Sequence, residues 1–336
     1  LNHYDKKGSR EWGILYLSLS GRLATREPET AILSVPAFAA LDKRPMKEKK
    51  LLGLWLAGPR DAVYSVAVTP DGQNVVGGGA DKLIRMWDLS STHEKSLFRG
   101  HSDWVHSVAI SPDGQTLVSG SFDGTLKVWN LESGEEIRTL TGHSDRVYSV
   151  AISPDGQTAF SGSQDTTIKL WNLNSGEEIR TITDHSDWVY AVAISRDGQT
   201  LVSGCADGTI RVSNKGLLTG HGGSVTSVAI SADGQTIASG SIDETIKLWD
   251  LKTGREIGSL RGHSGGVTSV AIAPNGQRLV SGSNDTTVKV WDFQTGEEVH
   301  TFTHHAKAVL SVAISPDGET IVSGSRNDVI KVWGMQ

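Results

Sequence analysis

A 42-residue stretch is written seven times in this chain, once shortened to 36, and tandem copying at such a period restricts the possible folds more than composition does. The fullest copy, residues 101–142, reads HSDWVHSVAISPDGQTLVSGSFDGTLKVWNLESGEEIRTLTG. Its opening His recurs at His101, His143, His185, His221, His263 and His305, with Pro59 in the first copy. Its late Trp keeps the same step at Trp87, Trp129, Trp171, Trp249, Trp291 and Trp333, with Ser213 in the fourth copy.

Turn signals inside each unit lie too close together for helices, and the segments between them are rich in Val, Ile, Leu, Thr and Trp. Four short strands are expected in the second unit, over 105–111, 116–121, 125–131 and 136–142. The nearly continuous apolar run of the first suggests burial on both faces. Asp-Gly or Asn-Gly follows it in every unit, from Asp71-Gly72 to Asp317-Gly318, and supplies the positive φ of a tight hairpin. Seven four-stranded antiparallel units predict an all-β, seven-bladed β-propeller.

The Gly-His pairs (100–101, 142–143, 220–221, 262–263) and the Trp-Asp or Trp-Asn pairs (87–88, 129–130, 171–172, 249–250, 291–292) resemble the signatures of WD-repeat (WD40) propellers. The resemblance spans residues 51–336, and the SPDGQTLVSGS wording is similar to that of bacterial, particularly cyanobacterial, members. It implies a hydrogen-bonded relay of His, Ser, Asp and Trp inside a blade. The positions are His101, Ser119, Asp123, Trp129; His143, Ser161, Asp165, Trp171; His221, Ser239, Asp243, Trp249; and His263, Ser281, Asp285, Trp291. Either serine of each SGS run could fill the serine place. Although Ser, His and Asp also make hydrolase triads, a site copied four times is expected to be a structural device, so no catalytic residue is assigned.

The departures are local. Unit one has Gly77 for Ser, and unit seven has Asn327 for Asp, so the seam between them is expected to open most easily. Unit four keeps His185, Ser203 and Asp207 but lacks the Trp and shrinks its last turn to residues 214–216. Loss of a buried aromatic costs about 3–5 kcal/mol unless neighbours fill the space, which makes blade four a weak blade or an edge shaped for a partner.

Residues 1–50 stand outside the period and carry 10 basic and 6 acidic side chains, against 22 and 32 in the remainder. They are expected to be a poorly ordered leader or the remnant of an upstream region, since the chain opens without Met. Lys6, Lys7 and Arg10 before the apolar 12–20 resemble a signal peptide, but that core is short. Residues 51–58 precede the first unit as a fourth strand precedes each later one, and the chain ends after a third strand. The expected closure therefore has 51–58 completing the last blade.

Only Cys205 is present, no apolar run is long enough for a membrane span, and the repeat region is acidic. The expectation is a cytoplasmic, monomeric ring that binds neither membrane nor nucleic acid. No phosphate loop, dinucleotide fingerprint or zinc spacing occurs, so neither cofactor nor enzymatic activity is expected. His300, His304 and His305 cluster, but they belong to a strand and a repeat position, so no metal site is assigned.

What varies between units carries the functional signal. In propellers of the resembled family, the residues three and five after the repeat His, and the one before the turn Asp, point onto the narrow face. On units one to four these positions hold Tyr64; Trp104, His106, Phe122; Arg146, Tyr148, Gln164; and Trp188, Tyr190. Unit seven adds Arg326. The rings either pack into neighbouring blades or form an exposed patch typical of a binding hot spot. The second alternative predicts a non-enzymatic scaffold for a protein or peptide whose Lys or Arg would sit among Tyr64, Tyr148 and Tyr190. A competing expectation is a regulatory or sensor module of a larger enzyme, a kinase or nucleotide hydrolase, whose catalytic domain lies upstream.

Overall fold

The computed structural model describes residues 46–47, 61–327 and 329–335. The proposed closing stretch 51–58, Pro59 and the leader before Met46 lie outside the described residues.

Each Asp-Gly or Asn-Gly pair makes the hairpin that its residues dictate. In blade two the Ser111 hydroxyl donates to Asp113 Oδ1 and accepts the Thr116 N–H at 2.9 Å, while Gly114 adopts φ +71°. Hairpins of this kind build blade two from Val105–Ile110, Thr116–Ser121, Thr125–Asn130 and Glu136–Thr141. The pattern repeats as seven four-stranded antiparallel sheets, paired in chain order, and the fold is an all-β seven-bladed β-propeller. In the seventh sheet the fourth strand is Met46–Lys47, from the stretch assigned to the leader, which pairs with Met335 and Gly334.

The most buried strand of a blade is the second, not the first. Leu117 to Ser121 are all buried, whereas only Val105 and Val108 are buried in the first strand. First strands adjoin those of both neighbouring sheets around the ring, so part of each faces the middle. The second strand is covered on both sides.

The glycine of each SGS run sets the spacing between blades. A Cβ on Gly120 would lie 2.7 Å from Val147 Cγ1 of the next blade, closer than carbon atoms can pack. Gly162 meets Val189 and Gly240 meets Val267 in the same way. The same contact joins the ends of the repeat array: Gly324 of blade seven lies against Val63 of blade one, at 2.8 Å from the position of its Cβ. Val63, Val66 and Trp87 share one buried cluster with Val322, Ile330 and Val332. The Val66 N–H donates to Ser311 Oγ across that seam at 3.1 Å. Gly77, the departure in unit one, is explained here, since its Cβ would lie 2.9 Å from Ile330 Cδ1.

Candidate functional site

The relay forms in all four complete units. In blade two His101 Nδ1 lies 2.9 Å from Asp123 Oδ2 and Nε2 lies 2.7 Å from Ser119 Oγ, which also accepts the Trp129 Nε1–H at 2.8 Å. Equivalent bonds link His143, Asp165, Ser161 and Trp171. They recur among His221, Asp243, Ser239 and Trp249, and among His263, Asp285, Ser281 and Trp291. The first serine of each SGS takes part; the second, such as Ser121, donates to the Asp103 carbonyl. Burial alone would raise the Asp123 carboxyl, but hydrogen bonds from His101 and Thr125 hold it well below the usual carboxylate range. The indoles and the first serines are buried, and the imidazole side chains are at most 1% exposed.

Blades seven and four keep parts of the relay. In blade seven His305 and Trp333 share Ser323 Oγ at 2.7 and 2.9 Å, but Asn327 takes a bond from Ser325 instead of serving His305 Nδ1. His305 is buried, and desolvation with Lys331 and His304 nearby pushes it down to about 4. His300 packs on Phe302 at 4.4 Å. Among the described residues no cluster of three or more metal-ligating side chains occurs.

The face residues are positioned by two local devices. Every first strand carries a β-bulge between its first and third residues, Val105/Ser107 in blade two. His106, Tyr148, Tyr190 and Tyr64 are the bulged residues of blades two, three, four and one. A bulge re-aims its side chain, and His106 reaches across to the next blade, its Nδ1 lying 2.8 Å from the Tyr148 carbonyl. Desolvation pushes His106 down to about 4, so it is neutral at physiological pH. The second device ties the approach to the turn: Phe122 N–H donates to Trp104 O, Gln164 to Arg146 O and Ala206 to Trp188 O, each at 2.9 Å.

These devices bring the aromatic side chains into one contiguous arc. Tyr64 stacks on Trp104 at 5.4 Å and on His106 at 5.0 Å, and Phe122 stacks on Trp104 at 5.4 Å. Phe122 meets Tyr148 edge-on at 5.3 Å, and Tyr148 meets Trp188 at 6.1 Å and Tyr190 at 4.9 Å. Trp104 and Trp188 are 39% and 38% exposed, while Tyr64, His106, Phe122 and Tyr190 are half-buried.

The expected cage of Tyr64, Tyr148 and Tyr190 needs correction. Tyr148 is only 8% exposed, and its hydroxyl donates to Gln164 Oε1 at 3.0 Å, so its ring serves as the floor of the arc. A cation is already present, since the Arg146 guanidinium lies 4.8 Å from the Phe122 centroid. Arg326 is exposed, on blade seven beside the Tyr64 end, and its charge acts on the Tyr64 hydroxyl.

Residue-type reading missed the carboxylates beside these rings. Asp61, Asp103, Asp145 and Asp187 each accept the N–H of the following residue, at 3.0, 2.8, 2.8 and 2.8 Å. Gly223, Gly265 and Lys307 hold this place in blades five to seven, so the carboxylates follow the same arc as the aromatics. The Ser-Asp-Trp spacing at 102–104 and 186–188 contained that signal.

Among the described residues no helix is long and apolar enough to cross a membrane. No curated protein matches the chain. The family described as WD domain, G-beta repeat matches seven successive segments: residues 50–88, 92–130, 134–172, 176–214, 213–250, 254–292 and 296–334. From the second on, each segment spans the fourth strand of one sheet and the first three strands of the next, and the chain belongs to the WD40 repeat family.

Proposed function

We propose that the chain is a non-enzymatic interaction platform that binds a Lys- or Arg-bearing protein segment on the arc formed by blades one to four. The observation that carries this reading is the coincidence of exposed Trp104 and Trp188 with the carboxylates of Asp103, Asp145 and Asp187. Exposed indoles on a rigid scaffold lose little entropy on binding and are frequent hot spots, and their faces attract cations. The adjacent carboxylates supply the charge complement, while the corresponding positions of blades five to seven carry no aromatic ring. WD40 propellers typically mediate protein interactions, but the fold alone does not choose a face.

The test is a crosslinked pull-down from the source cell's lysate, with wild type compared to Trp104→Ala/Trp188→Ala and, separately, to Asp103→Asn/Asp187→Asn. Tyr148 stays intact because its removal would disturb the floor of the arc. Both variants should melt close to wild type and lose the same prey, and the carboxamide variant should show a weaker salt dependence. Retention of all prey by the tryptophan variant would refute this face.

A further inference from the structure

The narrow face changes sign between blades seven and one. Asp61, Asp103, Asp145 and Asp187 line it on blades one to four, the corresponding residues of blades five and six are Gly223 and Gly265, and blade seven has Lys307. Arg326 gives blade seven a second cation, and its backbone N–H donates to the carbonyl of Ala308, next to Lys307, at 2.9 Å. Tyr64 of the adjoining blade marks the boundary, because the charges of Arg326 and Asp61 act on its hydroxyl in opposite directions.

The cations inside the arc are already engaged. Lys82 Nζ donates to the Ser102 carbonyl at 2.7 Å, and the Arg146 guanidinium lies over the Phe122 ring. Lys307 and Arg326 are exposed, and among the described residues neither side chain makes a hydrogen bond or an ion pair.

The incomplete relay of blade seven belongs to this pattern. In blades two, three, five and six the residue after the face position is a carboxylate bonded to the repeat His at 2.7 to 2.9 Å. Uncharged Asn327 stands there in blade seven and accepts a bond from Ser325, so no relay carboxylate lies behind Arg326. Asp328, which follows, lies outside the described residues. Two cations on neighbouring segments repel each other, and an anion placed between them relieves that repulsion.

The distances suit one short segment. Ring-to-ring steps of 5.0, 5.2 and 6.1 Å lead from Tyr64 through His106 and Tyr148 to Trp188, a path that about five extended residues cover at about 3.3 Å each. Lys82 and Arg146 both lean toward blade two, which leaves Asp187 and Trp188 as the end of the arc open to a further cation.

Given the arc as the working face, on which this rests, we propose that the narrow face takes an extended protein segment of mixed charge. Its Lys or Arg lies on Trp188 and Asp187, and an Asp or Glu roughly six residues away, at the spacing of an extended chain, lies between Lys307 and Arg326. Random peptides displayed on phage are selected on the full chain, and enriched sequences are remade with a fluorescent label for titration by anisotropy. They should carry a basic and an acidic residue at about that separation, lose binding to Trp104→Ala/Trp188→Ala, and bind Lys307→Glu/Arg326→Glu about tenfold more weakly. Exchange of the peptide's acid for Lys should restore affinity for the charge-reversed ring and weaken it for wild type. Peptides that need the indoles yet bind the charge-reversed ring as tightly as wild type would overturn the second anchor while leaving the arc as the working face. Peptides indifferent to the tryptophan variant, or a selection that enriches none, would refute the arc and this proposal together.

Discussion

The first serine of each SGS run satisfies two buried groups with one oxygen. Ser119→Ala would orphan both His101 Nε2 and Trp129 Nε1, and each orphan costs about 1–3 kcal/mol, so a urea titration should show a loss of about 2–6 kcal/mol. Ser203→Ala strands only His185 and should cost about half as much. Equal losses would mean that the bond to the indole contributes nothing. His305 predicts a pH effect. Its native pKa of about 4 lies below the ordinary value of 6.5, so the unfolded chain takes up a proton first as pH falls. Stability should therefore decline from about pH 6.5 to about pH 4, by roughly 3 kcal/mol from this residue. Asp123, Asp165, Asp243 and Asp285 have lowered native values, and their contribution is lost on further acidification, below about pH 4. His106, also pushed down to about 4, and the lowered His185, His221 and His300 add to the first decline, so His305→Asn should lessen it without removing it and leave the second. An unchanged slope between pH 6.5 and 4 would show that His305 does not govern it. The relay residues themselves were legible in the sequence because they recur in fixed steps, whereas the two serines of a run share one face of the strand and the choice between them depends on position along it. The burial of Tyr148 was illegible for a related reason: its bulge turns the ring beneath its neighbours, and no residue type announces a bulge.

Blade four is the element whose local irregularities belong together. Its third and fourth strands, Ile210–Val212 and Gly216–Leu218, are three residues each, and Ala191 stands where all six other first strands have a serine that bonds the next blade. The missing Trp was visible in the sequence, but its companion was not. Asp184 replaces the glycine whose Cβ would lie 2.9 to 3.1 Å from the indole in blades two, three, five and six, a constraint that packing alone reveals. His304 holds this place above Trp333 at 5.9 Å, so the indole there accommodates a larger residue. Ser213→Trp alone should gain less than it does together with Asp184→Gly, because the new ring and Asp184 must shift apart, as Trp333 and His304 do. Ser213→Trp/Asp184→Gly should stabilise by about 2–3 kcal/mol, more than the two single changes together. Strict additivity in a double-mutant cycle by chemical denaturation would contradict the packing relation. In the wild type the amides of Ile210–Val212 and Gly216–Leu218 should exchange with deuterium before those of the third and fourth strands of blade two.

At the scale of the whole molecule the question is whether seven similar blades behave as a row or as a circle. The repeat period, the Asp-Gly hairpins and the strand count made the propeller legible, because each is a local signal multiplied seven times. The closing contact is not local, and the sequence argument placed it in residues 51–58 by analogy with the other fourth strands. Among the described residues, Met46–Lys47 pairs with the last strand, and the seam itself is built by side chains: Gly324 on Val63, Ser311 on Val66, and Ile330 over Gly77. That seam is a close copy of an interior one. A Cβ on Gly324 would lie 2.8 Å from Val63 Cγ1 and 3.1 Å from Val66 Cγ1; on Gly240 the corresponding distances to Val267 and Val270 are 2.7 and 3.1 Å. In a closed ring both substitutions force the same displacement, so Gly324→Ala and Gly240→Ala should each destabilise by about 1–3 kcal/mol and agree to within about 0.5 kcal/mol. In an open row blade one could retreat from the new methyl group at no cost to the other blades. Gly324→Ala would then be nearly silent in a denaturant titration while Gly240→Ala kept its full effect, and that asymmetry would show that the first and last blades do not hold each other in solution.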